Sequence, residues 1–143
     1  MRSTLLAVLA SLATLGCANG LDPDAPILTD FTFAEQLQPD STQVPYDSVS
    51  VASRKIVVKR AAFGSLCASR LSAGVTSSGS DVTLTVSQSP IATCATPAGL
   101  VLYLGSIQLV PGSYRFRVVE RNASNPQGAV VIDKPVVVLA TDT

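Results

Sequence analysis

The sequence contains no histidine and no tryptophan. Without imidazole, the chain lacks the usual general base of Ser-His-Asp and Cys-His enzymes and a common ligand of zinc. The glycine-rich nucleotide-binding motifs, the G-x-S-x-G nucleophile motif and the Ser-x-x-Lys dyad are absent as well. We therefore predict a protein that is not an enzyme and that holds neither a metal ion nor a small-molecule cofactor.

Charged residues are few and balanced. Ten Lys and Arg offset ten Asp and Glu, and charged residues make up 14% of the 143 residues against 47% hydrophobic ones. A chain of this length and composition is able to bury one core. Nucleic-acid binding needs an excess of positive charge. We expect one folded domain and no nucleic-acid partner.

The N-terminus has the features of an export signal. Arg2 precedes an uncharged apolar run from Leu5 to Gly16, a pattern typical of signal peptides. The run is too short for a permanent transmembrane helix, which needs roughly 20 apolar residues. We therefore expect the chain to be exported.

The end of the signal, Thr14-Leu15-Gly16-Cys17, resembles the lipobox of bacterial lipoproteins, in which a Cys after a small residue becomes the acylated N-terminus. The resemblance implies a signal peptide over residues 1–17, a lipid on Cys17 and attachment to a membrane of the cell envelope, facing the periplasm or the exterior. The alternative is ordinary cleavage after Ala18, which would give a soluble secreted or periplasmic protein.

The chain has three cysteines. Exported proteins seldom leave a thiol unpaired. If Cys17 carries the lipid, Cys67 and Cys94 remain as a pair, and we predict a disulfide between them. Two reduced, buried cysteines are the alternative.

Residues 18–50 form a distinct segment. From residue 21 onward it has six acidic residues, no Lys or Arg, and four prolines. This composition predicts a flexible acidic linker that precedes the folded domain. As a coil its ends would lie about 30 Å apart. Short apolar patches around Phe31 and Val49 indicate that part of it docks on the domain.

Residues 51–143 carry the pattern of a β domain. Val82, Leu84 and Val86 alternate with hydroxyl residues, which is typical of a strand buried on one face. We expect strands over 55–62, 68–75, 81–87, 100–104, 114–118, 129–133 and 136–140, the last two being split by Pro135. The Pro111-Gly112 pair predicts a type II turn with a positive φ at Gly112.

The segment LVPGSYRFRV (109–118), together with GSDVTLTV (79–86) and a Cys before Tyr103, resembles the immunoglobulin-like domains of secreted bacterial proteins. The resemblance implies an all-β, antiparallel immunoglobulin-like sandwich of about seven strands. Alternation places Tyr114 inward with Phe116 and Val118, so we expect its side chain to be largely buried. We expect its hydroxyl to bond a backbone carbonyl near the turn, as in a tyrosine corner.

The possible binding face consists of outward cations: Arg115, Arg117, Arg121, Lys55 and Lys59. Rows of guanidinium groups suit phosphate or carboxylate polymers such as envelope polysaccharide. The alternative is that these charges keep a sheet soluble and protect its edges.

Our leading hypothesis is a lipid-anchored, non-enzymatic envelope protein that presents one interaction or structural module, with another envelope protein or a polysaccharide as partner. One alternative is a secreted carbohydrate-binding or protease-inhibitor-like module that binds through the loops at 76–80 and 122–128. A small hydrolase is the second alternative, and it would need carboxylates that converge in a pocket.

Overall fold

The structure is a computed structural model that describes residues 24–36, 45–65, 70–89 and 98–140. The regular elements in these ranges are strands, which confirms the all-β prediction. In chain order they are β1 (Ile27–Gln36), β2 (Tyr46–Ala52), β3 (Lys55–Ser65), β4 (Arg70–Ser78), β5 (Asp81–Ser89), β6 (Ala98–Gln108), β7 (Gly112–Asn122) and β8 (Asn125–Val138). None of the described residues belongs to a helix long and apolar enough to cross a membrane.

The strands form two four-stranded sheets, in the orders β1-β6-β3-β2 and β4-β5-β7-β8. The first sheet is antiparallel throughout. In the second, β5 and β7 are parallel, so the prediction of a purely antiparallel sandwich is wrong at this pair. The reason is topological: the chain crosses to the other sheet for β6 and returns, and two reversals leave β7 running in the direction of β5.

The core lies between the two sheets and is built by period-2 alternation. Ile56 and Val58 of β3 face Leu84 of β5 and Phe116 and Val118 of β7, and all five side chains are fully buried. The intervening residues of each strand point outward because successive side chains alternate across a sheet. The predicted inward and outward registers of β5 and β7 are confirmed.

The prediction of a flexible linker over 18–50 is wrong for β1 and β2. β1 pairs with β6, and β2 pairs with β3, as the two edges of the first sheet. Phe31 packs against Tyr103 with ring centroids 5.9 Å apart, and Val49 also contacts the core. Acidic residues suit such strands because edges leave many side chains in solvent.

The C-terminal part of the domain is more regular than the sequence indicates. The two predicted runs around Pro135 are one strand, β8. It is an edge strand, where a proline is tolerated because one side of the ladder is unpaired. The expected binding loops at 76–80 and 122–128 are largely strand, and their tips are the two-residue turns at 79–80 and 123–124.

Candidate functional site

The predicted basic face divides between the two sheets. Lys55 and Lys59 lie on β3 of the first sheet, whereas Arg115, Arg117 and Arg121 lie on β7 of the second. Because the sheets pack back to back, their outer faces point in opposite directions. The prediction that these cations join in one face is therefore wrong.

Two of the arginines are neutralised on their own sheet. Arg115 donates from Nε and Nη2 to the two carboxylate oxygens of Asp133 at 2.8 and 2.7 Å. Arg117 pairs with Asp81 at 3.1 Å and with Asp133 at 3.6 Å. The hydrogen bond between Arg115 and Asp133 lowers the pKa of Asp133 and raises that of Arg115.

On the first sheet, Lys55 Nζ lies 3.9 Å from Asp30 Oδ2. Lys59 is exposed, and no carboxylate among the described residues pairs with it. The outer face of β3 therefore presents one partnered and one unpartnered lysine, which is typical of a solvated sheet surface.

Arg121 has a different environment from Arg115 and Arg117. It is exposed at the far end of the same face, and no carboxylate in the described part of the chain pairs with it. Arg70, the first residue of β4, shares that face: Arg70 pairs in register with Ser89, and Ser87 pairs with Arg121. We call Arg70, Ser72, Ser87, Ser89 and Arg121 the Arg70–Arg121 patch. The sequence analysis named Arg121 but not Arg70. The two residues are far apart in the sequence and share a face only because of the strand order of the second sheet.

A second polar cluster joins the sheets from inside. Arg60 Nε donates to Glu120 Oε1 at 2.6 Å, and Nη2 donates to Oε2 at 3.3 Å. Arg60 Nη1 also donates to Asp47 Oδ1, and the Tyr103 hydroxyl donates to Glu120 Oε1 at 3.1 Å. These four residues, Asp47, Arg60, Tyr103 and Glu120, are the inter-sheet cluster.

Within the inter-sheet cluster, the positive charge of Arg60 is paired with the carboxylates of Glu120 and Asp47. Burial by itself lowers the pKa of Arg60, but its hydrogen bonds to Glu120 and Asp47 raise it above the ordinary value. Burial and the nearby charge of Glu120 raise the pKa of Tyr103. Sequence reasoning missed this cluster, although a signal was present: Arg60 continues the inward alternation of Ile56 and Val58.

The prediction for the corner at the start of β7 is confirmed in part. The Tyr114 hydroxyl donates to the Val110 carbonyl at 2.9 Å, as predicted. Tyr114 is half-buried rather than largely buried, because it lies at the end of the strand. The predicted positive φ at Gly112 is wrong, since the positive-φ glycines of the described residues are Gly79 and Gly128.

Gly112 has a packing role instead. A Cβ at this position would lie 3.1 Å from the Tyr114 hydroxyl oxygen and 3.2 Å from two ring carbons. The missing side chain lets the ring of Tyr114 lie against the backbone. Pro111 precedes this contact and is exposed.

Cys17, Cys67 and Cys94 lie outside the described residues, so lipidation and the disulfide stay predictions. Comparisons with protein-family models, with curated proteins and with solved structures found no match. In the described ranges, no group of three or more His, Cys, Asp or Glu side chains is placed to hold a metal ion. The functional proposal for this chain therefore depends on its own residues.

Proposed function

We propose that the chain is an exported, non-enzymatic protein of the cell envelope, anchored by a lipid on Cys17, that presents one β-sandwich module for interaction or structural support. The observation that carries the proposal is the apolar run from Leu5 to Gly16, after Arg2 and directly before Cys17. Such a run directs export, and a Cys at its end is the residue that bacterial lipoproteins acylate.

The inter-sheet cluster supports a role other than catalysis. Arg60 engages the carboxylates of both Glu120 and Asp47, and Tyr103 donates to Glu120. A catalytic acid or base must come within hydrogen-bond reach of the substrate. The carboxylates of Glu120 and Asp47 are instead both occupied by Arg60, and the raised pKa of Tyr103 keeps its phenol protonated.

The strand register supports the disulfide that this proposal includes. Ser65, the last residue of β3, pairs with Ala98, the first residue of β6. Cys67 follows Ser65 by two residues, and Cys94 precedes Ala98 by four. The chain therefore leaves one strand and enters the other at neighbouring points. A disulfide needs Cα atoms within about 7 Å, and short segments from adjacent strand ends are able to meet this requirement.

The immunoglobulin-like resemblance is proposed at the level of layers only. Two packed sheets and the hydrogen bond from Tyr114 to Val110 support it. The parallel pairing of β5 with β7 departs from the antiparallel sandwich of antibody-type domains. We therefore propose a sandwich of related architecture with its own strand order.

Membrane fractionation tests the anchor. The wild-type chain, expressed with its signal, should sediment with membranes, resist a high-salt wash and be released by detergent. Cys17→Ser should move the protein to the soluble fraction. Asn19→Ser, a change near the cleavage site that keeps Cys17, is the matched control and should stay with membranes. A wild-type chain found in the soluble fraction would contradict the anchor and favour the secreted module.

A further inference from the structure

We propose that the outer face of β4, β5 and β7 binds an acidic polysaccharide, whose anionic groups are held by the Arg70–Arg121 patch. This inference deepens the proposed function, since it names the class of partner. It rests on that function only in placing the chain in the cell envelope.

The charge distribution singles out one end of this face. Toward its other end, Arg115 and Arg117 are neutralised by Asp133 and Asp81. Asp81 and Ser87 are six residues apart on β5, or about 20 Å. Arg70 and Arg121 therefore act on a ligand without a competing carboxylate on the described part of the face.

The strand register sets the spacing of the two arginines. β5 separates β4 from β7, so Arg70 and Arg121 lie two strand spacings, or about 10 Å, apart across the sheet. Their partners on β5 are two residues apart, which adds an offset of about 7 Å along the strands, so the two Cα atoms are about 12 Å apart. Ser87 and Ser89 lie between them, paired with Arg121 and Arg70 respectively. Guanidinium groups bind carboxylate or phosphate oxygens through two parallel hydrogen bonds. The space between them suits a chain whose charged groups alternate with neutral, hydroxylated parts.

Arg121 is also held in place. A Cβ at Gly128 would lie 2.9 Å from Arg121 Cγ, so the aliphatic stem of Arg121 packs over the bare backbone of Gly128. This contact restricts the inner part of the Arg121 side chain, so less conformational entropy is lost when the guanidinium binds a ligand. An unsupported surface arginine lacks this advantage.

The rest of the face favours a sugar chain over a lone anion. Thr83 and Thr85 continue the outward row of Ser87 along β5, and the neighbouring strand adds Ser72. Nothing lies within 4 Å of the Cβ position of Gly74, so the face is open there. Hydroxyl side chains donate and accept hydrogen bonds, which matches the hydroxyl groups of a polysaccharide.

Calorimetric titration of the purified mature chain, which lacks only the signal peptide, tests the proposal. The probe is an oligosaccharide of galacturonic acid, and the comparison ligand is its methyl ester, which has the same sugar backbone without the charge. We expect the acid form to bind and the ester to bind at least tenfold more weakly. Added salt should weaken the binding of the acid form, because screening reduces attraction between exposed charges.

Arg70→Gln with Arg121→Gln should reduce the affinity for the acid form at least tenfold while keeping the wild-type unfolding midpoint, because both side chains are exposed. The matched control is Lys59→Gln with Lys134→Gln, which removes the same charge elsewhere and should change the affinity less than twofold. Equal losses in the two double variants would overturn the site in favour of a general charge effect.

Three further outcomes would overturn the class of partner: no binding of the acid form by the folded chain, competition by inorganic phosphate at the same concentration as the oligosaccharide, or tighter binding to vesicles of anionic phospholipid. None of these results bears on the lipid anchor, which fractionation tests separately.

Discussion

Tyr114 stabilises the entrance of β7 through one local hydrogen bond and through packing on Gly112. Tyr114→Phe removes the bond to Val110 and should lower the free energy of unfolding by about 1 kcal/mol. Tyr114→Ala also removes the ring from a half-buried site and should cost about 2 to 4 kcal/mol. Chemical denaturation of the purified variants measures both values.

Arg115→Ala is the control for this prediction. Arg115 points outward from the same strand, and its contact is an exposed pair with Asp133. Its loss should cost less than Tyr114→Ala, because exposed ion pairs contribute little to stability. If Arg115→Ala is the more damaging change, the inward and outward positions of β7 are reversed.

Among the glycines whose surroundings the structure describes, Gly128 is the one at which an added methyl group should do the most harm. Its φ is +90°, and a Cβ would lie 2.5 Å from Val119 Cγ1. Gly128→Ala combines backbone strain with a clash and should cost about 2 to 4 kcal/mol in denaturant unfolding. Gly74→Ala is the matched control, since its Cβ meets no atom within 4 Å. Similar values for the two variants would contradict the packing at Gly128.

The inter-sheet cluster connects strands of both sheets and should make the free energy of unfolding decline at alkaline pH. Burial, and then the charge of Glu120, raise the pKa of Tyr103 above its ordinary value of 10.0. A raised folded pKa gives a contribution that is fully present below the unfolded pKa. It declines as the pH rises above about 10, because the unfolded phenol ionises while the folded one stays protonated.

Tyr103→Phe isolates this contribution. Between pH 10.5 and 12, the unfolding free energy of the wild type should fall more steeply than that of the variant, by up to about 1.4 kcal/mol per pH unit, the limit for one proton. Denaturant unfolding at a series of pH values gives both slopes. Parallel slopes would show that Tyr103 ionises equally well in the folded chain, contrary to its place in the cluster.

Local patterns were sufficient for part of the fold. The alternation of Val82, Leu84 and Val86 predicted β5, and the register of β7 followed from Phe116 and Val118. The hydrogen bond of Tyr114 was also predictable, because its acceptor is only four residues away. These features depend on neighbours in the sequence.

Features set by distant contacts were not predictable from local patterns. β1 and β2 carry acidic residues and prolines nearby, and they become strands through pairing with β6 and β3. The parallel pair of β5 and β7 depends on the placement of β6 in the other sheet. Strand order places Lys55 and Arg115 in different sheets and brings Arg70 near Arg121. It therefore explains why the predicted basic face does not form and why the Arg70–Arg121 patch does.

Because β1 is part of the sandwich, only a short segment connects the folded domain to the proposed anchor at Cys17. Nine residues separate Cys17 from Ile27, the first residue of β1. Even fully extended, the ten Cα–Cα steps from Cys17 to Ile27 span at most about 35 Å. With the proposed lipid on Cys17, the sandwich would lie close to the membrane, and envelope polymers would be within reach of its outer faces.

The predicted disulfide between Cys67 and Cys94 concerns the end of the sandwich where β3 ends and β6 begins. Because Ser65 and Ala98 are paired at the ends of β3 and β6, a bond between Cys67 and Cys94 would close the sandwich at that end. Peptide mapping of the exported protein without reduction should recover the two cysteines as one linked pair. Loss of the bond should cost about 2 to 5 kcal/mol. Recovery of both as free thiols would contradict the prediction.

The proposed function depends on the lipid on Cys17, and the mass of the mature N-terminal peptide shows whether that lipid is present. We expect a peptide that begins at Cys17 and carries the mass of a diacylglycerol group on its sulfur. An unmodified peptide that begins at Asn19, after cleavage behind Ala18, would contradict the anchor.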